Sequence, residues 1–107
     1  VPHRKEQNDL TGALKAIRQA IKISPDDVAY LVQEANLLIA LQNDKAAIDT
    51  LRKITNIKTD EFMAWFNLAR ILHKTNQAGA LSASQTAAKL RPGDPAVQEL
   101  LMMLSGQ

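Results

Sequence analysis

Apolar and small residues recur along the chain with a period of about 34 residues, and this period limits the possible folds more than any other feature. Ala13 and Ala47 are one such period apart, and so are Leu31 and Trp65. Further pairs at that spacing are Ile17 with Leu51, Ala35 with Ala69, and Leu38 with Leu72. A period of this length is typical of stacked supersecondary units, so a repeat architecture is expected.

Each period contains two amphipathic helices. Trp65, Leu68, Ala69 and Leu72 lie at i, i+3, i+4 and i+7, which places them on one face of a helix. The preceding period has the same stripe, interrupted once by Glu34. A second helical stripe follows each first one, with alanine at a fixed position: Ala13, Ala47 and Ala80. The step from Ala47 to Ala80 is one residue shorter than the full period, so a residue is missing in the turn over 75–78.

The order of these residues resembles the tetratricopeptide repeat (TPR) family, whose pattern of Trp, Leu-Gly, Tyr, Ala and Pro is carried here by Trp65, Leu68, Ala69, Leu72, Ala80 and Pro92. The preceding unit departs from the pattern at Leu31, Glu34 and Thr59, and the later unit at Ser84. The resemblance implies an all-α fold, an α-α superhelix of about six helices with two full repeats flanked by half-repeats.

The expected domain organisation follows the repeat boundaries. Residues 1–7 are expected to form a flexible tail, because they are few and polar, and the repeat domain covers 8–104. Its parts are a half-repeat (8–27), a repeat (28–61), a repeat (62–94) and a closing helix (95–104), followed by a tail over 105–107. Helices are expected to approach closely where alanine occupies the packing positions: Ala13, Ala35, Ala47, Ala69 and Ala80.

Composition and motifs argue against catalysis. The chain has no cysteine, which excludes disulfides, thiolate zinc sites and cysteine nucleophiles. Its two histidines have no second ligand at metal-binding spacing, and its serines lack a partner motif. We therefore expect a protein that is not an enzyme, with no catalytic residues, no metal and no cofactor.

Charge and hydropathy argue against a nucleic-acid partner and against a membrane span in this chain, and they leave the compartment open. Thirteen basic and eleven acidic residues leave a net charge of +2, which is too small for a nucleic-acid footprint. No apolar run is long enough for a membrane span. The compartment is undetermined, because the absence of cysteine is compatible with both the cytoplasm and a bacterial periplasm.

The first helices of the two full repeats are expected to line a concave groove that binds a peptide or protein segment. At 100° per residue, one face of each helix points away from the core stripe and forms a half-apolar strip with a cationic corner. Such a strip suits hydrophobic side chains beside an acidic or carboxylate group. The groove residues are Ala29, Val32, Asn36, Ile39, Met63, Phe66, Arg70, His73 and Lys74.

The family resemblance adds a comparison with the carboxylate clamp of some TPR domains in chaperone adaptors. That clamp combines a lysine one residue after the tryptophan position with an asparagine or arginine four residues further on. Asn36 and Arg70 fill the second position, whereas Val32 and Phe66 stand where the lysines would be. The full clamp is absent. Phe66 either contacts a partner or packs against the neighbouring repeat.

Both ends of the repeat domain are expected to have uncovered apolar faces. The opening half-repeat has only its second helix, and the closing helix is apolar nearly all round, including Leu101 and Met102. A true capping helix has a polar outer face. The chain is therefore expected to be a fragment of a longer repeat array or multidomain protein, and to form a homo-oligomer through these ends when isolated.

Three functions remain open at this point. The first is a non-catalytic scaffold or adaptor that binds a partner in its groove, and the second is a structural or self-association segment of a larger protein. The third is an accessory TPR region of an enzyme such as a transferase.

Overall fold

The computed structural model describes residues 4–106 and contains, over that range, six helices and no strand. Each helix packs against the next along the chain, and the fourth also contacts the sixth. The all-α expectation is confirmed. The helices are α1 (Arg4–Ile23), α2 (Val28–Ala40), α3 (Asp44–Ile57), α4 (Phe62–Lys74), α5 (Ala80–Leu90) and α6 (Pro95–Ser105).

The amino-terminal helix is longer than the sequence pattern predicts. α1 begins at Arg4, so residues 4–7 are helical and the expectation of a tail there is wrong; residues 1–3 lie outside the described part of the chain. Asn8 and Asp9, residue types that are common in turns, also lie within α1. The helical hydrogen-bond pattern continues through both residues.

Buried alanines bring the helices of each pair together. Ala35 and Ala47 pack in the α2–α3 pair, Ala69 and Ala80 in the α4–α5 pair, and all four are less than a tenth exposed. Ala13, at the same position in α1, is exposed, which corrects the expectation of close packing there. In the described chain, α1 has no first helix of its own repeat to pack against.

Both turns within the repeats use the same backbone conformation. Gln42 and Asn76, which are one full period apart, have positive φ angles of 61° and 56°. The next residue in each turn donates its backbone N–H to a carbonyl five residues earlier, Asn43 to Leu38 and Gln77 to Leu72. This is the Schellman arrangement that ends helices.

The residue missing from the second full repeat falls after this shared turn. Gly79 there has a φ of 103°, a conformation that disfavours any residue with a Cβ. α5 then begins at Ala80, so it lacks the first helical turn that α3 has.

Glu34 and Thr59, two of the three departures from the family pattern in the first full repeat, take part in hydrogen bonds between elements. Glu34 accepts hydrogen bonds from Arg18 of α1 and from buried Thr50 of α3, both at 3.0 Å, and so links three helices. The backbone carbonyl of Thr59 accepts a hydrogen bond of 2.8 Å from the indole N–H of Trp65, which fixes the loop before α4. A polar link therefore replaces apolar contact at Glu34, whereas the contact at Thr59 uses only its backbone carbonyl.

Replacing Ala47 with leucine should destabilise the fold by about 1–3 kcal/mol, because the larger side chain overpacks a fully buried site. Denaturant unfolding followed by circular dichroism measures this. The matched control is Ala13→Leu. Ala13 has the same repeat position but is exposed to solvent, so this substitution should change the stability by less than about 0.5 kcal/mol. Equal losses in both variants would contradict the packing described above.

The substitution Glu34→Leu, which restores the family leucine, should lower the free energy of unfolding by about 1–3 kcal/mol, because the buried hydroxyl of Thr50 loses its acceptor. The double variant Glu34→Leu, Thr50→Val removes both polar partners and should recover most of that loss. Chemical denaturation of the two single variants and the double variant provides the test. If the losses of unfolding free energy in the two single variants add up in the double variant, the Glu34–Thr50 contact contributes nothing to stability.

Candidate peptide-binding groove

The first helices of successive repeats, α2, α4 and α6, supply the residues of the candidate groove. Between α4 and α6 lies a cleft of about 280 Å³, which we call the α4–α6 cleft. Three of the predicted groove residues line it from α4, and α6 supplies the opposite wall. Its lining residues are Phe66, Arg70, His73, Ala96, Glu99, Leu100 and Met103.

Arg70 is held in place by its own helix. Its guanidinium carbon lies 5.4 Å from the centroid of the Phe66 ring, a cation–π distance. Its Nη2 donates a hydrogen bond of 3.0 Å to Oδ1 of Asn67, which is buried. A guanidinium has five N–H donors, so most of them remain for a ligand while the side chain is already oriented.

Phe66 is half-buried because it has packing partners on both sides. Its ring stacks on that of Phe62 with centroids 5.9 Å apart and planes 6° from parallel. The guanidinium carbon of Arg91 lies 4.2 Å from the Phe62 centroid. Arg91, Phe62, Phe66 and Arg70 are therefore linked by successive pairwise contacts. Phe66 packs against the neighbouring elements and also presents part of its ring to the α4–α6 cleft.

A second, smaller cleft of about 170 Å³ lies between α2 and α4. Three predicted groove residues line it, Val32, Asn36 and Met63, together with Glu61 from the loop before α4. Met63 is 46% exposed, so a flexible apolar side chain stands at the mouth of the cleft. The groove surface is thus uncharged on α2 and carries its cation on α4.

Three predicted groove residues are placed elsewhere. Ala29 is exposed and Ile39 packs against the core, and neither lines the two clefts. Lys74 forms an ion pair with Asp44, with 3.1 Å between Nζ and Oδ2, and so links the end of α4 to the start of α3. Arg70 is therefore the cation of the α4–α6 cleft.

The sequence analysis missed the contribution of α6 to the groove. The groove positions of α4 recur in α6 at a spacing one residue short of the full period, so that Met63, Phe66 and Arg70 correspond to Ala96, Glu99 and Met103. The deletion hid this correspondence, because a search at the full period does not align the two helices. The consequence is chemical, since Glu99 places a carboxylate in the same cleft as Arg70.

The two residues expected to mediate self-association differ in exposure. Met102 is 74% exposed, whereas Leu101 is half-buried and packs against the cluster formed by Phe62, Ala87 and Val97. A charge at Leu101 would therefore disturb the fold as well as any contact, and Met102 is the residue suited to testing an interface.

Within residues 4–106, no three His, Asp or Glu side chains are grouped so that they could hold a metal ion. Among the described helices, none is long and apolar enough to cross a bilayer.

Comparison with known proteins agrees with this architecture. A family model described as "Tetratricopeptide repeat" matches residues 5–70. A search of curated proteins gave no match.

Three solved structures share the fold at low sequence identity. MamA matches with a TM-score of 0.87 and 20% identity over 96% of this chain, which spans 57% of the MamA chain. PcrH, solved in complex with the chaperone binding region of PopD, matches with a TM-score of 0.72 and 16% identity, over 96% of this chain and 78% of PcrH. The type III secretion translocator chaperone SycD of Yersinia enterocolitica matches with a TM-score of 0.71 and 18% identity, over the same shares of both chains. Since the family model covers more than half of the sequence, and the helix pairs reproduce its repeat, the chain belongs to the tetratricopeptide repeat family.

Proposed function

We propose that this chain is a non-catalytic protein-interaction module that holds a segment of a partner protein in its concave groove. The observation that carries this proposal is the α4–α6 cleft, where a partly exposed aromatic ring, a pre-oriented guanidinium and a carboxylate lie together. Clefts that combine an apolar wall with a few oriented polar groups are the usual form of peptide-recognition sites. The complex of PcrH with a region of PopD is an example of partner binding on this fold.

The groups in the cleft define the chemistry of the partner segment. An aliphatic or aromatic side chain would pack against Phe66, Leu100 and Met103. A carboxylate next to it would accept hydrogen bonds from the free N–H groups of Arg70. Glu99 would repel a second carboxylate and would accept a hydrogen bond from a backbone or side-chain donor. The segment that fits best is therefore hydrophobic with one acidic residue, rather than a run of acidic residues.

Phe66→Ala and Arg70→Glu should each weaken partner binding by at least about 1 kcal/mol, or roughly fivefold. Peptides selected from a display library against the wild-type chain would serve as probes in calorimetric titrations. Leu81→Ala and Lys89→Glu are matched controls, because both side chains are exposed on α5 and line neither cleft. Circular dichroism would verify that each variant is folded. Wild-type affinity in both groove variants would exclude this groove as the binding site.

Glu99→Gln should raise the affinity for a selected peptide that carries a carboxylate, because it removes a like charge from the cleft. The same peptide with its carboxylate converted to an amide should bind the Glu99→Gln variant and the wild type with equal affinity. Titrations of both peptides at low and high salt would measure the difference, which should shrink as salt screens the repulsion. A loss of affinity for both peptides would mean that Glu99 contacts the partner directly as an acceptor.

A further inference from the structure

The smaller cleft between α2 and α4, which we call the α2–α4 cleft, extends into the interior of the repeat. Besides residues of the two first helices, it is lined by Leu51 and Ile54 of α3, which are 2% and 0% exposed. The opening therefore passes between α2 and α4 as far as the second helix behind them. The α4–α6 cleft is shallower, since no residue of α5 lines it.

One small residue of α4 distinguishes this cleft from the corresponding space between α4 and α6. Ala64 lines the α2–α4 cleft. At the same repeat position α6 has Val97, which is 0% exposed and packs with Phe62 and Ala87. In α2 this position is occupied by Tyr30, which packs against the core. Because an alanine side chain ends at Cβ, the space that a larger side chain fills in the other two helices stays open beside Ala64.

The volume and the charges of the α2–α4 cleft define what it can hold. Its volume of about 170 Å³ fits one medium-sized aliphatic side chain, since a cavity of roughly 150 Å³ holds a benzene-sized molecule. Among the described residues that line it, Glu61 is the one ionisable group, and its Oε2 already lies 3.3 Å from Nζ of Lys58. The cleft thus offers no cation to a carboxylate and its one anion is paired, so a neutral side chain fits it best.

Asn67 adds a polar group inside the same cleft, although it is only 9% exposed. Its Oδ1 accepts the hydrogen bond from Arg70, whereas its Nδ2 has no acceptor among residues 4–106. No side-chain nitrogen or oxygen in that range is both sealed from solvent and unpartnered, so Nδ2 is accessible from the cleft that Asn67 lines. It can donate to a carbonyl oxygen, which suits an aliphatic side chain that is carried by a peptide backbone.

We propose that the α2–α4 cleft is a specificity pocket for one neutral aliphatic side chain, of the size of leucine, isoleucine or methionine. This side chain belongs to the partner segment whose acidic residue binds Arg70. The inference rests on the groove function proposed above and adds a second determinant to it, on the other side of α4. The two clefts are joined by the hydrogen bond between Asn67 and Arg70, so one segment that crosses α4 can occupy both.

A double-mutant cycle tests the pocket with peptides selected by display against the wild-type chain. Ala64→Val introduces the side chain that α6 carries at this position and should fill the cleft. It should weaken binding at least about tenfold, and so should replacement of the peptide's aliphatic residue, identified by alanine scanning, with alanine. Because the filled cleft no longer accepts the aliphatic residue, the Ala64→Val variant should bind the parent peptide and the alanine peptide with equal affinity.

Ala16→Val is the matched control, because Ala16 is exposed on α1 and lines neither of the two clefts. It should bind the parent peptide like the wild type. Circular dichroism and thermal unfolding would verify that both variants are folded. A distortion of the fold would weaken both peptides by the same factor, so a similar loss for the parent and the alanine peptide on going from wild type to Ala64→Val would overturn the pocket.

The same titrations separate this inference from the groove function. If Phe66→Ala and Arg70→Glu weaken binding while Ala64→Val does not, the groove function stands and the pocket is excluded. If display selects no peptide, or if all three variants bind with wild-type affinity, both proposals fail.

Nuclear magnetic resonance locates the aliphatic residue directly. A peptide with ¹³C-labelled methyl groups at this residue should show nuclear Overhauser contacts to the methyl groups of Leu51 and Ile54, which line the inner part of the α2–α4 cleft. Contacts to Leu100 and Met103 instead would place the side chain in the α4–α6 cleft and would contradict the proposed pocket.

Discussion

Close approach of helix backbones at buried alanines is the constraint on which the whole structure depends. A helical pair of this size cannot bury its apolar stripe unless the two backbones come near each other, and a larger side chain at Ala35 or Ala47 would hold them apart. The second pair repeats the arrangement with Ala69 and Ala80. Because the same small residues recur in each period, the same packing recurs, and the first helices align on one face.

The departures from the repeat pattern are compensated locally. Glu34 stands at an apolar position, but its two carboxylate oxygens are satisfied by Arg18 and Thr50. Gln42 and Asn76 adopt left-handed backbone conformations that glycine would adopt with less strain, and both turns are nevertheless closed by the same hydrogen bonds. The repeat architecture therefore tolerates polar and strained positions wherever hydrogen bonding is complete.

The groove and the ends of the described chain differ in how neighbouring residues hold their exposed side chains. In the groove, Arg70 is held by Phe66 and Asn67, which would lower the entropic cost of binding the proposed partner segment. At the ends, by contrast, apolar side chains such as Met102 are exposed with nothing packed on them in the described chain. Arg70 is thus oriented by residues of its own helix. Met102, in contrast, has no covering helix in the described chain, whereas the equivalent Ala35 and Ala69 are buried.

The sequence alone determined the fold, because the regular recurrence of apolar and small residues admits few arrangements other than stacked helix pairs. It also placed Phe66, Arg70 and His73 on one helix face, since that depends on 100° per residue and on nothing distant. Only the tertiary structure decided that α6 completes their cleft with Glu99, that Lys74 is paired with Asp44, and that Ala13 is exposed. These depend on contacts between helices far apart in the chain, and helix periodicity carries no information about which neighbour, if any, lies opposite a face.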